Sequence, residues 1–296
     1  MAALTLKGIY PPLPTFFDTQ ENLDLHTYQH HISLLIRAGI SGFVVMGTNG
    51  EAVHLTDSER AQVITAAREV AGDQAQIIAG CSDQSTRATL AHCEQAAQSG
   101  ADVALILPPF YYKGRMTPSA LIAHYQVVAD HSPLPVVIYN MPASAAGIDL
   151  DAHTICTLAE HPNIIGMKDS SGNIEKMMQV VRDTKPGFQA LVGSAQILLP
   201  ALLMGASGGI LAYANAAPYS AIAIFEAHRT REKEAARDWQ TRVGRAASVS
   251  GKYGIPGLKH AMDLNGYYGG PPRLPMSTPT PEAKKEIEEA FKDLKG

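Results

Sequence analysis

The chain has 296 residues, 46% apolar and 18% charged, with a formal charge of −4 spread along its length. These proportions suit a soluble globular protein with one large core, and they offer no basic patch for nucleic acid or an anionic membrane. No apolar stretch approaches the ~20 residues that span a bilayer, and the seven residues before the first apolar run are too few for a signal or transit peptide, so the expected compartment is the cytoplasm.

Along the chain, short runs rich in Val and Ile recur at residues 8–15, 42–47, 76–81, 102–109, 135–140, 164–170, 188–194 and 208–215. Runs of this kind form parallel strands buried on both faces. Segments with helical spacing lie between them. In the first, Leu25, Tyr28, Ile32, Leu35 and Ile36 share one face. Thr56 followed by Glu59 predicts a capping box, and Thr117-Pro118 places a cap before a proline at the first helical position. Eight strand-then-helix units in about 220 residues fit a closed (β/α)8 TIM barrel, the expected fold class. The alternative is a doubly wound open sheet, but its GxGxxG and GxxxxGK[ST] strings are both absent. Residues 1–230 are read as the barrel. Residues 231–296 are read as a small C-terminal helical extension, with helices over 231–245, 258–264 and 281–294 and a turn at Gly254-Ile255-Pro256-Gly257. Cys81, Cys93 and Cys156 form neither a CxxC pair nor a disulfide pattern and are expected to be free thiols.

Barrels of this type react at the C-terminal ends of their strands. Polar residues sit there in four places: Thr48-Asn49-Gly50-Glu51, Tyr111-Tyr112, Tyr139-Asn140 and Lys168-Asp169-Ser170. Lys168 closes an otherwise apolar strand, so from position alone it is either a rim lysine that reaches water or a nucleophilic amine. Tyr139 ends the preceding strand. Neighbouring strands lie about 4.8 Å apart, which brings a phenol close to the amine. Imine formation needs a group that can both give and take a proton at the departing oxygen, and a phenol does both. The turn Thr48-Asn49-Gly50 offers backbone N–H groups that could cradle a carboxylate, although an ordinary turn looks the same. Tyr111-Tyr112 suits a subunit interface as readily as catalysis.

Metal chemistry has less support. His26 and His30 have i, i+4 spacing but no HExxH glutamate, and no Asp/His/His set gathers at the strand ends, so no metal or other cofactor is expected. Gly193-Ser194 and Gly208-Gly209 lie where many barrels hold phosphate, which keeps a phosphosugar substrate as an alternative.

Taken together, Gly47-Thr48-Asn49-Gly50-Glu51, Tyr111-Tyr112, Tyr139-Asn140-Met141-Pro142 and Gly166-Met167-Lys168-Asp169-Ser170 resemble the dihydrodipicolinate synthase and N-acetylneuraminate lyase superfamily. The resemblance is collinear over nearly the whole chain. It implies a class I, pyruvate-binding aldolase, usually a homotetramer built as a dimer of dimers. It also implies that Lys168 forms the Schiff base, that Tyr139 shuttles protons, and that Thr48 and Asn49 bind the 2-oxo acid carboxylate, with Thr48 also in the proton relay. Tyr112 matches a tyrosine that crosses a dimer interface into the neighbouring site. Gly193 and Ile210 match backbone positions lining the pocket, and Ser170 a polar group near the substrate tail.

Dihydrodipicolinate synthases place an arginine after the Asn-Met-Pro segment, where this chain has Ala143-Ser144-Ala145. That departure turns the expectation from lysine biosynthesis to cleavage of a 4-hydroxy-2-oxo acid. The strings at 111–116, 254–259 and 266–271 look like 4-hydroxy-2-oxoglutarate aldolases, and the string at 49–56 looks like fungal aldolases that cleave 2-keto-3-deoxy sugar acids. The leading expectation is release of pyruvate and glyoxylate from 4-hydroxy-2-oxoglutarate. A sugar-acid aldolase is the rival, followed by dihydrodipicolinate synthase and by a ligand-sensing barrel without turnover.

Overall fold

The computed structural model describes residues 4–294. Among them, eight strands, β1 (Gly8–Tyr10), β2 (Gly42–Val45), β3 (Gln76–Gly80), β4 (Val103–Ile106), β5 (Val136–Asn140), β6 (Ile164–Asp169), β7 (Gln189–Val192) and β8 (Gly208–Ile210), alternate with eight helices. The helices are α1 (Leu25–Ala38), α2 (Asp57–Ala71), α3 (Thr86–Gln98), α4 (Pro118–His131), α5 (Ala152–Ala159), α6 (Ile174–Asp183), α7 (Leu198–Leu203) and α8 (Pro218–Arg229). Every strand pair is parallel, in the order β1-β8-β7-β6-β5-β4-β3-β2.

Closure runs between β1 and β2. It uses single bonds, Val44 N to Pro11 O at 3.0 Å and Leu13 N to Val44 O at 2.8 Å, with no regular ladder. The reason is in the sequence: Pro11 and Pro12 have no N–H to give, so β1 ends at Tyr10 although the apolar run continues to residue 15. Period-two alternation then separates two layers. Tyr10, Val44, Ile78, Leu105, Val137, Tyr139, Leu191 and Ile210 fill the lumen, and Phe43, Ile77, Ala104, Ile138, Met167 and Ala190 face the helices. The two sequence-marked helix starts form as expected, a capping box at Thr56/Glu59 and a Thr117 cap before Pro118.

Beyond α8 come α9 (Lys233–Lys252), α10 (Gly254–Leu264) and α11 (Pro281–Phe291). Their residues Val243, Leu258, Met262, Ile287 and Phe291 join the same buried cluster as the barrel helices. Two expectations need correction here. The glycine-proline string at 254–257 is no turn between helices but the first turn of α10, where a proline gives up an N–H that has no helical acceptor. The break falls at Gly254 itself, whose φ of 60° suits glycine. The run 208–215 is strand only to Ile210. It continues as a 3-10 turn over Ala212–Asn215, fixed by Asn215 Nδ2 donating to Pro12 O at 2.9 Å and Ala212 O at 3.0 Å. No helix among the described residues is long and apolar enough to cross a membrane. All three cysteines are free, with Cys81 and Cys93 buried, and His26 and His30 lie on the exposed side of α1.

Candidate active site

The C-terminal ends of β5 and β6 bring Tyr139 and Lys168 into direct register. An irregularity in the pairing makes this possible: Val136 opposes Ile164, but Val137 opposes Gly166. Skipping one residue turns Lys168 to the lumen side. Its Nζ lies 4.1 Å from the centroid of the Tyr139 ring. Lys168 is 3% exposed and Tyr139 4%, and among the described residues the amine has no hydrogen bond or ion pair. It is buried yet uncommitted.

The Tyr139 hydroxyl is 3.3 Å from Thr48 Oγ1 and 2.7 Å from the Met141 sulfur. Thr48 opens a 3-10 turn, Thr48–Gly50, beyond β2. Its first N–H groups, on Thr48 and Asn49, have no acceptor among the described residues. Ser170 and Gly193 meet where β6 and β7 end. A Cβ on Gly193 would stand 1.8 Å from Ser170 Oγ, so only glycine lets the strands approach so closely there.

One cavity of about 930 Å³ is lined by Thr48, Asn49, Tyr139, Lys168, Ser170, Gly193 and Ile210. Seven of the eight residues expected to form the site therefore share a wall. Tyr112 does not. It is 69% exposed, stacked edge-on against Tyr111 at 5.1 Å, away from that cavity. A second cavity of about 410 Å³ shares Thr48, Tyr139 and Ser144 with the first and adds Arg60, His54 and Gln84.

Several contributors escaped the sequence. The outer wall of the larger cavity comes from the end of α9 and the start of α10, through Ser248, Tyr253 and Ile255, and from Met276. Behind Tyr139 and Lys168, on the helix side of the strands, Asn140 Nδ2 donates to Asp169 at 3.1 Å and Asp149 at 2.7 Å. Lys176 forms ion pairs with both carboxylates, at 3.3 Å to Asp169. The signal for this network was available: Asn140 and Asp169 each follow a site residue by one position, so alternation sends them to the opposite face.

A model of the dihydrodipicolinate synthetase family matches residues 5–294. The chain is 38% identical over 292 residues to a protein of Emericella nidulans named probable 4-hydroxy-2-oxoglutarate aldolase, mitochondrial, covering 97% of this chain and 94% of the relative. It is 36% identical over 299 residues to L-threo-3-deoxy-hexylosonate aldolase of Hypocrea jecorina, covering 97% and 95%. A prophage protein of the dihydrodipicolinic acid synthase family from E. coli K12, solved in complex with pyruvate, superposes with a TM-score of 0.92 at 27% identity, over 99% of both chains.

Proposed function

Because the chain belongs to the dihydrodipicolinate synthetase family, whose members are pyruvate-dependent lyases, we propose that it cleaves a 4-hydroxy-2-oxo acid to pyruvate and an aldehyde through a Schiff base on Lys168. The observation that carries this reading is the buried, uncommitted Lys168 amine over the Tyr139 ring, with the phenol in reach of Thr48.

The Lys168 Nζ adds to the C2 carbonyl, and the carbinolamine oxygen takes a proton by way of Tyr139 and leaves as water. The Thr48 and Asn49 N–H groups hold the C1 carboxylate. With the imine as electron sink, the C4 hydroxyl proton passes to Tyr139, relayed by Thr48. The C3–C4 bond electrons move into the enamine, and the aldehyde departs. Protonation at C3 and hydrolysis of the imine then release pyruvate and restore the amine.

For the substrate we favour 4-hydroxy-2-oxoglutarate, giving glyoxylate, on the strength of the Emericella nidulans relative. A 2-keto-3-deoxy sugar acid is supported by the Hypocrea jecorina relative and by one feature of the wall. The hydroxyls of Ser144, Ser170, Ser248 and Ser277 line the cavity with no hydrogen-bond partner among the described residues, as a hydroxylated tail requires. We place Tyr112 in the neighbouring site of a homotetramer, which its exposure beside Tyr111 supports. Light scattering should then give four chains, and Tyr112→Ala should lower activity.

The test is borohydride reduction in the presence of pyruvate, followed by peptide mass spectrometry. A reduced pyruvyl adduct on Lys168 is the expected result, and its absence sinks the mechanism. Pyruvate release from the two substrates, assayed in parallel, decides between them.

A further inference from the structure

Glu51 is the least comfortable residue near the cavity. Its backbone is left-handed, with φ of 53° at a non-glycine position, a conformation that costs free energy unless its surroundings impose it. It is also a carboxylate with 1% exposure. Both costs are met at one place. Glu51 Oε1 lies 2.9 Å from Lys259 Nζ, and the two side chains are 0% and 1% exposed. Glu51 Oε2 accepts from the Arg273 backbone N–H at 2.9 Å.

Besides pairing with Glu51, the Lys259 ammonium donates to Thr15 O and Pro271 O, each at 2.8 Å. Thr15 in turn donates through Oγ1 to Gly50 O at 2.6 Å. The Thr48-Asn49-Gly50 turn is thus gripped at Gly50 through Thr15, which Lys259 holds, and at Glu51 through Lys259 and the Arg273 N–H, with His54 Nδ1 3.3 Å from Oε2. Lys259 belongs to α10, whose first turn forms part of the cavity mouth.

We infer that Glu51 and Lys259 are positioning residues: their buried ion pair sets the carboxylate-binding turn against the C-terminal wall of the site and so determines affinity for the 2-oxo acid. This rests on the aldolase reading above. A glycine would hold the left-handed backbone at 51 more cheaply, and an apolar pair would fill the interior without a desolvation penalty. What only the ion pair supplies is an electrostatic tie between the turn and α10.

The test compares wild type, Glu51→Gln, Lys259→Met and the double variant, each at a temperature where it is folded. Active sites are counted by borohydride trapping of pyruvate. Displacing the turn moves the carboxylate-binding N–H groups first, so KM should rise by about tenfold or more, while kcat per trapped site falls by less than removal of the Thr48 hydroxyl would cause. The double variant, with no unpaired charge left inside, should regain thermal stability and keep the raised KM. A purely structural pair would lower the number of active molecules, hence Vmax, and leave KM alone. A wild-type KM in the folded double variant overturns the inference. Failure to trap pyruvate on wild-type Lys168 overturns the aldolase reading instead, so the two failures are distinguishable.

Discussion

The two halves of the cavity are built in different ways. On the β5/β6 side, a parallel ladder with one skipped residue presents Tyr139 and Lys168 to the lumen, and behind them the Asp169 carboxylate is paired with Lys176 and accepts from Asn140. On the β2 side there is no ladder at Thr48 and Asn49, only a single 3-10 turn held by Glu51 to α10. Under the proposed Schiff-base mechanism a bond forms in the first half, which therefore needs rigidity. The second needs correct placement of N–H groups, and any scaffold that fixes the turn provides it. Geometry around Lys168 is therefore local, and around Thr48 it is imported from the far end of the chain.

The largest effects should separate the halves. Lys168→Ala removes the nucleophile, so kcat should fall by roughly 10⁴-fold or more and trapping should vanish. The fold should survive, since the amine bonds to nothing among the described residues. Thr48→Val removes one hydroxyl from the relay 3.3 Å from Tyr139. Trapping with pyruvate should persist, and turnover should drop by about 10²-fold, the lower end for a proton-transfer group, because Tyr139 remains. Equal losses in the two variants would collapse the distinction between a reacting half and a binding half.

An intermediate effect tests the support behind β5 and β6. Lys176→Met leaves the 2% exposed Asp169 carboxylate without its cation. Breaking a buried pair on one side costs about 3–5 kcal/mol, which should show as a lower urea midpoint. Because the network lies on the helix side, kcat of the folded protein should change much less than stability does. Unchanged stability would mean that the neutral donors suffice: Ser171 through N–H at 2.7 Å and Oγ at 2.6 Å, and Asn140 at 3.1 Å.

This division also explains what could be read from the sequence. Eight Val- and Ile-rich runs separated by helical spacing specify a barrel, and strand ends make Lys168 and Tyr139 candidates by position and residue type, whereas Thr48, in a turn like any other, is singled out by the family resemblance. Exact facing was not. Without the skipped residue between Ile164 and Gly166, Tyr139 would oppose Met167, and nothing in the local pattern announces that irregularity. Strand lengths were overread at β1 and β8, where prolines and a buried asparagine end the ladder inside an apolar run. The pairing of Glu51 with Lys259 was beyond local reading altogether, since both residues look like ordinary surface charges until the C-terminal helices fold back over the barrel.

The smallest effect probes that folding-back from outside the cavity. Arg273, next to the segment that Lys259 and Glu51 hold, pairs with Glu59 of α2 at 2.7 Å. This contact first, and the Thr56 bonds after it, lower the Glu59 carboxyl from its usual 4.5 to about 2. A carboxylate lowered by folding stabilises the native state above its unfolded pKa, and the contribution disappears as pH falls through the folded one. The urea midpoint of wild type should therefore exceed that of Arg273→Met at pH 7, and the gap should narrow between pH 4.5 and 2. It should not close fully, because Arg273 also donates to His54 O at 2.8 Å and lies 4.3 Å from the Phe17 ring centroid, and neither contact titrates there. A gap constant from pH 7 to 2 would mean that the tether of the carboxylate-binding half owes nothing to Glu59 and rests on those neutral contacts and the interior pair.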